Sequence, residues 1–305
     1  MHGDSAAGRA GLPAPGSTLA LLALVLNAFV WGVSWWPLRH LQGMGLHPLW
    51  STALIYAAAV VVIVWRWPRA VGQLLRTPVL WILVLAAGGT NAGFNWAVSI
   101  GDVVRVVLLF YLMPLWAVLL ARWLLHERLT RWAALRVLLA LAGAAIVLKP
   151  AGAGWPVPAS LPDWLGIAGG FCFALNNVML KRESARPREA RALAMFLGGM
   201  LVAGALALVL GLTGGVAPPP APRPDWLLPA LALAAAFLAA NLALQYGASH
   251  LPASVTAVVM LVEVVFAAGS AVLLGDQELT GQALLGGGLI LGAALLSALE
   301  PDRPA

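Results

Sequence analysis

Long stretches of this chain carry no charge, and that decides its solvent before anything else. The run from Ser17 to Leu38 has no Asp, Glu, Lys or Arg. About 20 such residues cross the hydrocarbon of a bilayer as a helix, because only a helix satisfies its own backbone there. Similar apolar runs, with at most two charged residues each, follow at roughly 47–65, 79–99, 103–125, 132–148, 164–181, 191–213, 226–248, 252–274 and 281–299. Charged residues make up 10 % of the 305 positions and hydrophobic ones 61 %, with mean hydropathy +0.89. A soluble domain carries about a quarter charged residues. The expected fold is an all-α integral membrane protein with ten transmembrane helices.

The connecting segments agree. Residues 1–16 are small, polar and rich in Gly and Pro, as in a disordered tail. The first apolar run is too long for a signal-peptide core and lacks a small-residue cleavage pattern, so it is read as a retained span. APPPAPRP at 217–224 cannot continue a helix. Trp155, Trp164 and Trp226 fall near expected helix ends, where indoles favour the membrane interface.

The net charge of +6 and pI near 10.4 do not point to nucleic acid. The basic residues cluster in short loops between apolar runs, where they orient helices. Placing the N-terminus inside puts Arg66, Arg69, Arg76, Arg128, Arg131, Lys181, Arg182, Arg186, Arg188 and Arg191 on the cytoplasmic side. Only Arg39, Arg105, Lys149 and Arg223 are then outside. This predicts an inner-membrane, multi-pass protein with both termini cytoplasmic. The single cysteine, Cys172, excludes an internal disulfide or a cysteine metal cluster.

A weak internal repeat at an offset of 150 residues carries more information. HERLTRWAAL at 126–135 aligns with DQELTGQALL at 276–285, and NAGFNWAVS at 91–99 aligns with NLALQYGAS at 241–249. Asn91 then matches Asn241, Asn95 matches Gln245 and Ser99 matches Ser249. Five spans per copy force the second copy to insert upside down. The loop HERLTR is basic while its partner GDQELTGQ has no Lys or Arg, which agrees. The expectation is two inverted five-helix repeats, 17–149 and 164–299, with a linker at 150–163 and a tail at 300–305. Inverted repeats are typical of secondary transporters.

YLMPLWAVLLARWLLHERLT at 111–130 resembles the proline-containing fourth helix of the EamA family in the drug/metabolite transporter superfamily, with its G-E-x-x-T-like end. LVEVVFAAGSAVLLGDQELT at 261–280 looks like the second copy. His126 stands where that family often has Gly, and Val264 where it often has Pro, which predicts a missing kink at the latter. The resemblance implies helices one to four of each repeat around a central cavity, and outer fifth helices available to a homodimer. It also implies alternating access, with export of amino acids, related metabolites or drugs.

Polar groups in hydrocarbon are costly and usually face the bundle interior. Asn91, Asn95 and Ser99 share one helix face, and Asn241, Gln245 and Ser249 do the same. Such amides suit a zwitterionic substrate, or they bond helices together at roughly 0.6–2 kcal/mol each. Asn27 and Trp31 share a face of the first span, where an indole could stack on an aromatic or cationic substrate. Asn176 and Asn177 occupy the equivalent stretch of the sixth. Tyr111, about one turn before Pro114, and Arg105 at the outer mouth are further candidates. Glu263 is the acid placed deepest in the membrane, on one face with Thr256 and Met260. A carboxylate there costs several kcal/mol unless paired, hydrated or protonated, which suits proton coupling or a substrate ammonium.

Competing functions find less support. The Asp residues fall in expected loops and tails without a paired-aspartate motif, and H-E-x-x-H and G-x-S-x-G are absent, which disfavours an integral-membrane enzyme. A channel or receptor-like protein remains the other alternative. No cofactor and no metal site are expected. The expected partners are a small-molecule substrate and the lipid bilayer.

Overall fold

The computed structural model describes residues 15–124, 131–149, 155, 157–251, 253–275 and 277–299. The N-terminal tail to residue 14, residues 125–130 with HERLT, residues 150–154, 156, 252 and 276, and the C-terminal tail from 300 lie outside the described residues. The described chain is helical throughout. The helices are α1 (Pro15–Val33), α2 (Trp35–Gly43), α3 (Pro48–Arg66), α4 (Arg69–Leu75), α5 (Leu80–Ile100), α6 (Val103–Phe110) and α7 (Met113–Leu124). They continue with α8 (Arg131–Leu148), α9 (Leu161–Arg182), α10 (Arg188–Leu212), α11 (Pro224–His250), α12 (Ala253–Met260), α13 (Val262–Leu274) and α14 (Gly281–Leu299).

Among the described residues, six helices are long and apolar enough to cross a membrane. A seventh is added if α4 and α5, bent by 104°, count as one span. This corrects the expectation of ten transmembrane helices in two inverted five-helix repeats: the fold is an all-α multi-pass membrane fold with six or seven such helices. The reasons are local. Among the described residues the apolar helix in the stretch 252–274 covers Val258–Leu274 and, like that of α14, is short of a full span. Helix α9 carries Asp163, Asn176, Asn177, Lys181 and Arg182, which dilute its apolar character.

Helix starts follow from side-chain caps. Asp102 accepts a hydrogen bond from the Arg105 amide at 2.7 Å and opens α6. Ser160 accepts from the Asp163 amide at 3.4 Å and, with Pro162 in the first turn, opens α9. Each satisfies a donor that a helix start leaves free.

Within the bundle, α5 lies between α9 and α10, α1 packs on α11 and α13, and α8 pairs with α14. In lipid, helices associate through close packing, and small residues permit it. Gly88 of α5 meets Gly198 of α10 backbone to backbone, and Gly143 of α8 meets Gly286 of α14. Large apolar side chains such as Val61, Trp65, Leu208 and Leu284 stay exposed on the outside, as a lipid-facing surface requires.

Segments distant in sequence are tied together at one end of the bundle. Arg105 pairs with Asp163 through two hydrogen bonds, at 2.7 and 3.0 Å, and donates to the Val147 carbonyl at 2.7 Å. Gln282 donates to the carbonyls of Ile146 and Lys149, both at 2.6 Å. Arg39 donates to Val98 at 3.0 Å and to Gly101, closing the last turn of α5. The basic residues Arg66, Arg76, Arg131 and Arg182 stand at the other ends of these helices.

The ion pair replaces two sequence expectations. Asp163 lies in the first turn of α9 rather than in a loop, with its side chain 2 % exposed. It also occupies the Arg105 guanidinium, which was a candidate for a substrate carboxylate. Burial pushes the Asp163 carboxyl up, but hydrogen bonds from Arg105 and the Ala159 amide, with the Arg105 charge, outweigh it. The group is held below the usual carboxylate range. Its stabilisation is therefore full above that range and is lost as pH falls through the lowered folded value. Asp163→Asn should destabilise the detergent-solubilised protein by about 1–3 kcal/mol, between exposed and fully buried pairs, because Arg105 is part-exposed. It should also flatten the acid limb of thermal stability against pH. An unchanged melting profile would make the pair incidental.

Candidate functional site

Among the described residues, three apolar segments are interrupted. α1 stops before Ser34 and resumes as α2, whose Trp35 indole donates to Ser270 of α13 at 2.9 Å. The second break separates α6 from α7 at Tyr111 and Leu112, just before Pro114, which lacks the amide donor a continuous helix needs. The third separates α12 from α13 at Leu261. Tighter three-residue bonds bridge these points: Leu112 N to Leu109 O at 3.2 Å, and Leu261 N to Val258 O at 3.1 Å. The third break forms without a proline, so Val264 does not abolish it.

The second and third breaks face each other. The Tyr111 hydroxyl lies 3.4 Å from the Met260 carbonyl and 3.4 Å from Oε2 of Glu263. Glu263 sits in the first turn of α13. Two candidates separated by 152 positions in sequence are thus brought together.

A string of rings runs from that contact through the bundle. Tyr111 meets Phe110 with centroids 6.2 Å apart, and Phe110 meets Phe94 at 4.8 Å and Phe173 at 5.4 Å. Phe94 meets Trp31 edge-on at 6.5 Å, and Trp31 stacks on Phe237 at 4.6 Å. Phe237 continues to Tyr56 at 6.3 Å, and Tyr56 to Phe196 at 5.6 Å. Trp31 therefore faces protein rings. Phe94, Phe110, Phe173 and Phe237 were not among the sequence candidates; a phenylalanine in an apolar helix carries no pattern that separates it from core.

The amides divide into four groups. Asn27 is buried and donates to the Ala240 carbonyl at 2.8 Å, joining α1 to α11. Asn95, also buried, donates to Thr52 at 3.1 Å, and Tyr56 donates to Asn91, so both residues bond to α3. Asn176 is buried in α9 while Asn177 is exposed. Gln245 is exposed and donates to Asn241 on its own helix at 2.7 Å. The two matched stripes thus do not bond to each other: one serves α5–α3 packing, and the other closes on itself.

Comparison with known proteins agrees with this architecture. A crystal structure of a protein, 20 % identical, superposes with a TM-score of 0.58 over 92 % of this chain and 96 % of its own, which shows a shared fold. No curated protein sequence matched. The profile described as the EamA-like transporter family matches twice, over residues 18–149 and 160–299. With both matches together spanning most of its length, this chain belongs to the EamA-like transporter family, and it is a transmembrane transporter rather than an enzyme.

Proposed function

We propose that this transporter exports amino acids, related metabolites or drugs across the inner membrane by alternating access. In this reading the two family-matched segments, joined by residues 150–159, rock against each other around the Tyr111–Glu263 contact. The observation that carries it is the meeting of two interrupted helices at Tyr111 and Glu263. Interrupted helices leave backbone groups and side chains free to hold substrate or coupling ion at membrane depth, where a continuous helix offers neither. Asn27, Trp31, Asn176, Tyr111 and Glu263 are the proposed contact residues. Asn91 and Asn95 hold α5 to α3 beside them. Both termini are placed in the cytoplasm, with the arginine-rich ends of the helices.

The test begins with cells that overexpress the protein, screened for resistance to toxic amino acids and drugs. Each hit is then assayed in proteoliposomes. A carrier shows saturable uptake and counterflow; flux without counterflow would assign a channel and overturn the proposal. In the same cells, an active phosphatase fused after Ala305 would overturn the orientation. The mass of the purified complex reports whether a homodimer forms.

A further inference from the structure

We propose that the corner formed by the end of α3, by α4 and by the start of α10 binds an anionic phospholipid. Arg66, Arg69 and Arg76 hold its phosphate, and its acyl chains lie against Trp65 and Leu75.

The shape of the corner comes first. Helix α4 is turned by 104° from α5, so it runs along the membrane surface where α5 crosses the bilayer. Ala70 and Leu74 are buried one turn apart, and α4 packs on α10. Leu75 is exposed on one flank of that buried face, and Arg69 and Arg76 are exposed on the other. The two arginines lie two turns apart, a rise of about 10 Å. Beside them, Trp65 and Trp67 are exposed at the end of α3, and Val61 continues the Trp65 face one turn earlier. A surface helix with arginines on one flank and an apolar side chain on the other fits the boundary between headgroups and acyl chains.

Charge comes second. Arg66, Arg69 and Arg76 form no ion pair or hydrogen bond among the described residues. Arg66 lies over the Trp67 ring, 5.3 Å from its centroid. The carboxylate that touches α4 is Glu189 of α10, and it accepts from the Gln73 amide at 3.3 Å. Arg188, next to it, is exposed. Four arginines thus face one acid here, whereas Arg182 and Arg186 at the end of α9 are paired with Glu183. A guanidinium matches phosphate oxygens through paired N–H groups, and a basic cluster at a bilayer surface attracts anionic lipid. A water-soluble polyanion would satisfy the arginines and leave Trp65, Trp67 and Leu75 in water. A phospholipid complements both.

The experiment uses the purified full-length protein in neutral detergent, titrated with phosphatidylglycerol or with phosphatidylcholine of the same chains. Bound lipid is counted by native mass spectrometry. Phosphatidylglycerol is expected to bind at least about tenfold more tightly, and an excess of glycerol phosphate is expected not to displace it. Arg69→Gln/Arg76→Gln is expected to lose most of that preference. Arg182→Gln/Arg186→Gln, an equal loss of charge outside the corner, is expected to keep it. Equal binding of the two lipids by the wild type overturns the proposal, and that comparison needs no variant to fold. Displacement by glycerol phosphate makes the corner a free-phosphate site and overturns it too. So does a folded Arg69→Gln/Arg76→Gln protein that keeps the preference, or an equal loss in both double variants, which would reduce the effect to bulk charge.

Discussion

Glu263→Gln is expected to abolish the pH dependence of transport and to lower its rate sharply, with the protein still inserted and folded. The substitution keeps the shape of the side chain and keeps an oxygen for the Tyr111 hydroxyl, which lies 3.4 Å from the carboxylate. It removes the titration and the charge. A hydrogen bond to a charged group contributes about 1.5–3 kcal/mol, so losing it corresponds to about a ten- to hundredfold weaker interaction with substrate or proton. Tyr111→Phe, which removes only the hydroxyl that faces the acid, should have a smaller effect in the same direction. Reconstituted wild type and variant are to be compared across a pH series at matched protein density. If the Gln variant transports at the wild-type rate with the wild-type pH profile, Glu263 is neither a proton site nor an essential counter-charge.

The largest effect on folding is expected at Gly198. A side chain there would enter the α5–α10 crossing, where its Cβ would come 2.9 Å from the Gly88 amide nitrogen and closer still to the Val84 carbonyl oxygen. Both are main-chain atoms, so no rotamer change relieves the clash, and the two helices must separate. Gly88 faces the same crossing from the other side, against Gly198 and Val202. Overpacking a tight interior costs roughly 1–3 kcal/mol, and a clash with backbone belongs at the upper end of that range or beyond it. Gly198→Leu should yield little monodisperse protein in detergent, while Gly288→Leu, at a position with open space around it, should behave as wild type. Equal yields and equal melting temperatures for both would show that the α5–α10 approach is not a constraint on this fold.

The polar candidates were legible in the sequence for a physical reason. Glu263, Tyr111, Asn27 and Asn176 stood out because a polar group in an apolar run is costly, and that cost is visible residue by residue. What the same residues bond to was not visible. Asn91 and Asn95 read as a twin of Asn241 and Gln245, yet the first pair bonds across to α3 and the second to itself. The two stripes have the same spacing along a helix, and spacing says which residues share a face but not what that face meets. Asp163 was missed for the same reason. It stood at the end of the expected 150–163 linker, and its bond to Arg105 bridges 58 positions of chain.

The sequence by itself determined the solvent, the helical class and the family resemblance, because each depends on composition or on patterns a few residues long. An uncharged stretch must be helical in lipid whatever surrounds it. The number of complete membrane helices was not determined in that way. A hydropathy window counts apolar residues whether or not they lie in one helix, so 252–274 read as a full span although the apolar helix there covers only Val258–Leu274 among the described residues. Only the tertiary structure decided where the helices stop, which of them touch, and that two of the stops meet at Tyr111 and Glu263. Those contacts depend on how glycine-lined faces bring backbones together, and that is a property of pairs of helices distant in sequence.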